Sequence, residues 1–245
     1  WKDSGSETAG TNGTCNNATL VPGQAESYDV TTNEDGTVTY TFHLRDGIKW
    51  SDGKDVTAQD FVFSWQRLVS PDTASDYSNM LSGVVNAIAI TNGEMDPSEL
   101  GVAAPDEKTF EVTLVNDLPY FLEICAFPSC MPVREDVVSD TQWTYSPETF
   151  VSNGAYKLDI RKTNDQISMV PNENYYGVEE LGPDRITFKL MDNDNAILNG
   201  FKSGDLDFIQ SMPVDEVAGL IASGDLNIVN YIGVYYVCFN TEKAP

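Results

Sequence analysis

The side chains able to do chemistry are unevenly stocked. The 245 residues hold one histidine, four cysteines, and 38 acidic against 14 basic residues. A serine nucleophile would need His43 as its base. His43 alternates with apolar neighbours in YTFHL, and no GxSxG elbow occurs in the chain. A lone histidine on such a strand face reads as an ordinary polar residue. Acidic pairs stand at Asp192 and Asp194 and at Asp205 and Asp207, as chance alone supplies among so many carboxylates. Glycoside hydrolysis needs two carboxyl groups at a defined separation in space, which spacing along the chain does not set. Asp192 to Asn195 opens like a calcium loop. Ile197 stands where that loop needs glycine, and Ser203 where it needs its closing glutamate. No close Cys-x-x-Cys pair is present to build a zinc site with the single histidine. Cys125 and Cys130, five positions apart in ICAFPSC, leave two readings open: a local disulfide, or small buried hydrophobes, the latter shared with Cys238. Cys15 falls in a polar loop. No glycine-rich phosphate cradle occurs. The residues therefore imply no catalytic centre, metal site or cofactor.

The net charge is −24. A nucleic-acid backbone would be repelled, and no basic run is available for phosphate contacts. An anionic membrane surface is disfavoured for the same reason. Such acidity reads as a solvated surface and does not by itself identify a cationic ligand. No apolar run approaches the roughly 20 residues of a membrane-spanning helix. The length allows one or two domains with a sizeable core.

The elements that must position any site begin at Tyr40. Tyr40, Phe42 and Leu44 alternate with polar residues, the period of a half-buried strand. Asp46-Gly47 and Ser51-Asp52-Gly53 are turns. Thr57 is placed as a helix N-cap with Asp60 three residues on. Phe61, Trp65 and Leu68 then share one helical face. Upstream, the segment from Asn33 to Gly36 predicts a hairpin turn. Downstream, the pattern predicts a short helix within Ser75 to Ile90 and a strand over Thr109 to Leu114. A buried helix follows from Leu118 with Pro119 in its first turn, and then a short helix over Arg134 to Asp140. Strands are expected from Asn153, over Gln166 to Pro171, and over Arg185 to Leu190. A helix over Asn193 to Gly200, a strand over Leu206 to Ile209, and a helix over Val214 to Ala222 capped by Gly224 come next. A long apolar strand over Ile228 to Phe239, central in a sheet, closes the series. No internal repeat is evident. The fold class is α/β in the mixed α+β sense, with at least one mixed sheet.

The stretch LRDGIKWSDGKDVTAQDFVFSW closely resembles the signature region of the family 5 solute-binding proteins. These are extracytoplasmic receptors of bacterial ABC importers. The resemblance continues through ASDYSNML, LGVAAPDEKTFEVTL, SNGAYKL, NENYYG, ITFKLMDNDNAILNGFKSGDLDF and FNTEKAP, roughly residues 20 to 245. Among these receptors the chain looks closest to the oligopeptide binders.

The resemblance implies a periplasmic-binding-protein-like class II fold. Residues 1–45 and 147–245 would form a discontinuous lobe I, and residues 46–146 an inserted α+β sub-domain. The second large lobe is expected to be absent, so the chain would be a fragment holding one side of a cleft. The implied function is capture of peptides outside the cytoplasmic membrane and delivery to ABC permease subunits, as a monomer, with no enzymatic activity. Tyr77 matches a ligand-facing tyrosine of the oligopeptide branch. Tyr236 and Cys238 match the cleft-facing side of the last strand, with Tyr235 facing the other way. Cys238 stands where that branch often has an acidic residue. Gln210 matches a further position near the ligand, though FIQSMP is one residue shorter than the family's spacing. A nickel or sugar receptor of the same family, or a carboxylate-dependent hydrolase, is the alternative.

Overall fold

The computed structural model describes residues 2–3, 20–226, 228 and 236–242. Residues 2–3 with 20–192 form one compact unit, and the described residues from 193 onward belong to a second. In the first unit β1 (Lys2–Asp3) pairs with β2 (Leu20–Val21). β3 (Ala25–Thr32) and β4 (Val38–Leu44) form the expected hairpin. Its turn places Gly36 at φ 88°, which glycine adopts without steric cost. β5 (Val102–Asp106) and β6 (Thr109–Leu114) complete an antiparallel sheet of order β3-β4-β6-β5.

Val38, Tyr40, Phe42 and Leu44 of β4 are buried, as are Phe110, Val112 and Leu114 of β6. They face α1 (Ala58–Val69), which buries Val62, Trp65, Leu68 and Val69. The Trp65 ring meets Phe110 edge-on at 5.3 Å. Burying side chains of this size stabilises by about 1.5–3 kcal/mol each. The N-terminus of α1 is closed by Asp60, whose Oδ2 accepts the Thr57 backbone N–H at 2.8 Å and the Thr57 hydroxyl at 3.2 Å.

The helix predicted within Ser75 to Ile90 is two short pieces: a 3₁₀ turn over Ser78–Leu81 and α2 (Ala87–Thr91). Asn86 breaks the path at φ 67°, outside helical space. α3 (Phe121–Cys125) begins after Pro119, and α4 (Glu135–Val138) is the short helix expected there. A second antiparallel sheet, β7 (Tyr156–Lys162), β8 (Gln166–Pro171) and β9 (Ile186–Lys189), matches the three predicted strands. Every ladder among the described residues is antiparallel, so the expected mixed sheet is not found there. β4 lies before Asp46 and β6 well after it, and the two pair residue by residue from Val38↔Leu114 to His43↔Thr109.

In the second unit α5 (Asp194–Ser203) and α6 (Val217–Ser223) end in the same way. Gly204 and Gly224 take φ 84° and 82°. Asp205 N–H donates to the Gly200 carbonyl at 2.9 Å, and Asp225 N–H to Leu220 at 3.0 Å, which is the Schellman closure. Both follow the tetrapeptide SGDL, at 203–206 and 223–226. This short repeat was not anticipated. It also explains why no strand forms over Leu206 to Ile209: the Leu206 N–H is already donated to the Gly200 carbonyl at 3.1 Å. The strand expected over Ile228 to Phe239 fares likewise where it is described. Residues 236–239 are irregular, and no ladder among the described residues runs beside them. Residues 229–235, Tyr235 included, lie outside the described residues.

Candidate functional site

Tyr77 immediately precedes the Ser78–Leu81 turn, after a bend in which Ala74 takes φ 49°. Leu81 anchors that turn in the core at 1% exposure, while Tyr77 stays 49% exposed. One side of its ring rests on Phe127, with centroids 5.1 Å apart and planes tilted by 53°. Phe127 itself packs against the core. The Tyr77 ring is thus held from behind and offers its remaining surface to solvent. An aromatic in that setting presents apolar area plus a hydroxyl donor.

The segment under Phe127 is clamped to α1. Trp65 Nε1 donates to the Cys130 carbonyl at 3.0 Å, and Ser64 Oγ accepts the Val133 N–H at 2.7 Å. Cys125 and Cys130 are free thiols lining one small cavity. Burial pushes the Cys130 thiol up to about 12 and raises Cys125 further still. Cys130 is the small buried hydrophobe that one sequence reading expected.

Gln210, Tyr236 and Cys238 belong to the second unit, so they and Tyr77 are described separately. Gln210 is exposed, in a loop. Tyr236 is 77% exposed, and Cys238 is exposed rather than buried in a strand. The physical reason is that no ladder among the described residues runs beside them, so the period-two alternation has no sheet face there to define.

Three stretches noted in the sequence converge in the first unit, which sequence reasoning did not foresee. The Ser51 N–H donates to the Ser152 carbonyl at 2.7 Å, joining WSDG to SNGAY. Asn174 Nδ2 donates to the Ser51 carbonyl at 3.2 Å, bringing in NENYYG. Asn172, fully buried, donates from Nδ2 to the Gly154 carbonyl at 2.9 Å and accepts the Asn174 N–H at 3.1 Å. A buried amide with these partners escapes the desolvation penalty of an unpaired one. These motifs build a structural junction. Their signal was clustered Asn and Ser beside turns, which marks local capping but not the long-range partner.

The residues considered for hydrolysis are not assembled. His43 Nε2 meets Asp29 Oδ2 at 2.8 Å across the exposed face of the β3–β4 hairpin. Asp192, Asp194, Asp205 and Asp207 are all exposed. Asp205 accepts the Ser203 hydroxyl at 2.8 Å beside the helix end. Asn193, inside the calcium-like stretch, caps α5 by accepting the Ala196 N–H at 3.0 Å. Among the described residues no group of three or more His, Cys, Asp or Glu is placed to hold a metal ion.

A mixed α/β body of this kind, with a core-backed aromatic turned to solvent, has the fold of the periplasmic-binding-protein class. The unliganded open form of the periplasmic murein tripeptide-binding protein MppA superposes with a TM-score of 0.77 at 36% identity, over 84% of this chain and 39% of that one. *Haemophilus influenzae* OppA, solved in complex with RPPGFSPFR, gives 0.78 at 38% identity, over 84% of this chain and 40% of its own. The family description "Bacterial extracellular solute-binding proteins, family 5 Middle" matches residues 19–245, and the chain belongs to that family. By sequence it is 37% identical over 231 residues to the periplasmic murein peptide-binding protein MppA of *Escherichia coli* K12, covering 92% of this chain. It is 36% identical over 231 residues to a protein of the same strain named "Probable deoxycholate-binding periplasmic protein YgiS", again covering 92% of this chain. The chain spans 42% of the length of each of these two relatives.

Proposed function

We propose that this chain is part of the substrate-binding component of an ABC importer, a receptor that captures peptides outside the cytoplasmic membrane and hands them to permease subunits. The observation that carries this reading is the likeness to OppA solved with a bound nonapeptide, at 38% identity and a TM-score of 0.78. The receptor performs no reaction, binds no nucleic acid and acts as a monomer. The net charge of −24 supports the second statement.

Tyr77, Gln210, Tyr236 and Cys238 face the ligand in the whole receptor. Tyr77 contributes ring packing and a hydroxyl. The sub-domain comprises residues 46–146 together with β3 and β4, and is inserted into the lobe made by the rest of 1–45 and by 147–245. The β4–β6 ladder supports that adjustment.

The likeness to the relative named for deoxycholate favours a second reading, an amphipathic steroid ligand. Native mass spectrometry separates the two, applied to this chain and to a protein extended to the relatives' full length. The peptide reading expects heterogeneous peptide-sized adducts on the extended protein. It also expects Y77A to weaken peptide binding about tenfold, the loss of roughly 1.4 kcal/mol. An extended protein that ignores peptides and retains deoxycholate overturns it in favour of the steroid.

A further inference from the structure

Cys125 closes α3, and Cys130 closes the 3₁₀ turn Pro128–Cys130 that follows it. The chain doubles back between them. Phe127 N–H donates to the Ile124 carbonyl at 2.9 Å, and Cys130 N–H to the Phe127 carbonyl at 2.9 Å. Both cysteines therefore line the same cavity, walled by Phe42, Trp65, Phe110 and Met131. Its volume is about 40 Å³. That is space for only a few water-sized groups. The two thiols lie within electrostatic reach of each other: burial raises the Cys125 thiol most, and Cys130 adds to it. The loop they bracket carries Phe127 out against Tyr77.

We propose that Cys125 and Cys130 form a disulfide in an oxidising compartment, locking the loop whose Phe127 backs Tyr77. The compartment rests on the receptor reading above, whereas the bond itself is tested without any ligand. Disulfides persist outside the cytoplasm, where thiols are not kept reduced. The oxidant is a small-molecule disulfide such as glutathione disulfide. The thiolate of Cys125 displaces one glutathione and forms a mixed disulfide. The Cys130 thiolate then attacks the Cys125 sulfur and releases the second. The protein loses two electrons and two protons, and glutathione disulfide becomes two molecules of glutathione. The burial that raises both thiols makes the uncatalysed step slow and leaves the dithiol form stable until an oxidant arrives.

The test equilibrates the folded chain with glutathione disulfide, blocks remaining thiols with N-ethylmaleimide, and reads tryptic peptides by mass spectrometry. The proposal expects the peptide from Thr109 to Arg134 to be unblocked and lighter by two hydrogens, about 2 Da. Cys238, exposed, is expected to carry either N-ethylmaleimide or a single glutathione. Trp65, which lines the cavity and donates to the Cys130 carbonyl, supplies a second readout. Its fluorescence is expected to fall on oxidation, to recover with reductant, and not to respond in C130S. Both thiols blocked after prolonged oxidation, a persistent glutathione adduct on Cys125 or Cys130, or a bond from either residue to Cys15 or Cys238 would each overturn the proposal. The wild-type peptide masses decide the matter even if C130S does not fold. Peptide capture by the extended receptor is untouched by any of these outcomes, so the two readings fail separately.

Discussion

Gly101 shows how little room single positions of this fold leave. It lies between two segments of the first unit, donating its N–H to the Val85 carbonyl at 2.9 Å and accepting the Thr113 N–H at 2.7 Å. A Cβ placed there would stand 2.8 Å from Val85 Cβ and 3.0 Å from the Thr113 carbonyl oxygen. Neither neighbour is the free end of a flexible side chain. G101A is therefore expected to destabilise by about 1–3 kcal/mol, the usual cost of overpacking. Urea unfolding monitored by circular dichroism checks it, and an unchanged midpoint would mean that the segments separate more easily than their hydrogen bonds suggest. Tyr77 sits at the other extreme. Its backbone belongs to a turn anchored by buried Leu81, yet its ring is half exposed, so substitution there should spare stability and alter binding.

At the level of elements, an ion network pins the Ser51–Gly53 turn to α4. Arg134, only 12% exposed, holds Asp52 at 2.8 Å and Asp136 at 2.5 Å. Lys54 reaches Asp136 at 2.9 Å. The hydrogen bond from Lys54, joined by that from Arg134, holds the Asp136 carboxyl below the usual carboxylate range. Its folded-state value lies below its unfolded value of about 3.9, so its contribution is present above about pH 4 and is lost as pH falls further. Asp136 is half exposed, and solvent screening keeps that contribution to about 1 kcal/mol or less. D136N is expected to be slightly less stable at neutral pH and to lose stability less steeply on acidification. Thermal melts between about pH 3 and pH 7 would reveal it, and parallel acid limbs for variant and wild type would remove Asp136 from the account.

Across the whole molecule the dominant fact is a net charge of −24. The ion pairs among the described residues engage only about half of the lysines and arginines there, while many carboxylates stand unopposed. Self-repulsion of that size opposes compaction. Raising ionic strength from about 0.01 M to about 0.15 M shortens the screening length from roughly 30 Å to roughly 8 Å. The melting temperature is therefore expected to rise by on the order of a few degrees, until screening is complete. A falling melting temperature would show that the ion pairs outweigh the repulsion.

The sequence by itself determined the first unit well. Tyr40, Phe42 and Leu44 had to share one face, Thr57 and Asp60 had to cap a helix, and Trp65 had to point inward. Each of these follows from alternation, helical spacing or a hydrogen bond closed within a few residues. The family, and with it the fold class, was also legible in the sequence, because the resemblance runs through many motifs in order rather than one short pattern. Tertiary structure alone decided which motifs meet. Nothing local in WSDG, SNGAY or NENYYG says that Ser51 bonds to both Ser152 and Asn174, each more than a hundred residues away. It alone also decided the fate of the apolar runs after α5. Leu206 to Ile209 reads as a strand, but the preceding SGDL turn claims its first amide for the helix end. Tyr236 and Cys238 read as alternating strand residues, yet a strand has faces only where another strand lies beside it. Caps and turns are written in neighbouring residues, whereas strands depend on partners that the chain must bring from elsewhere.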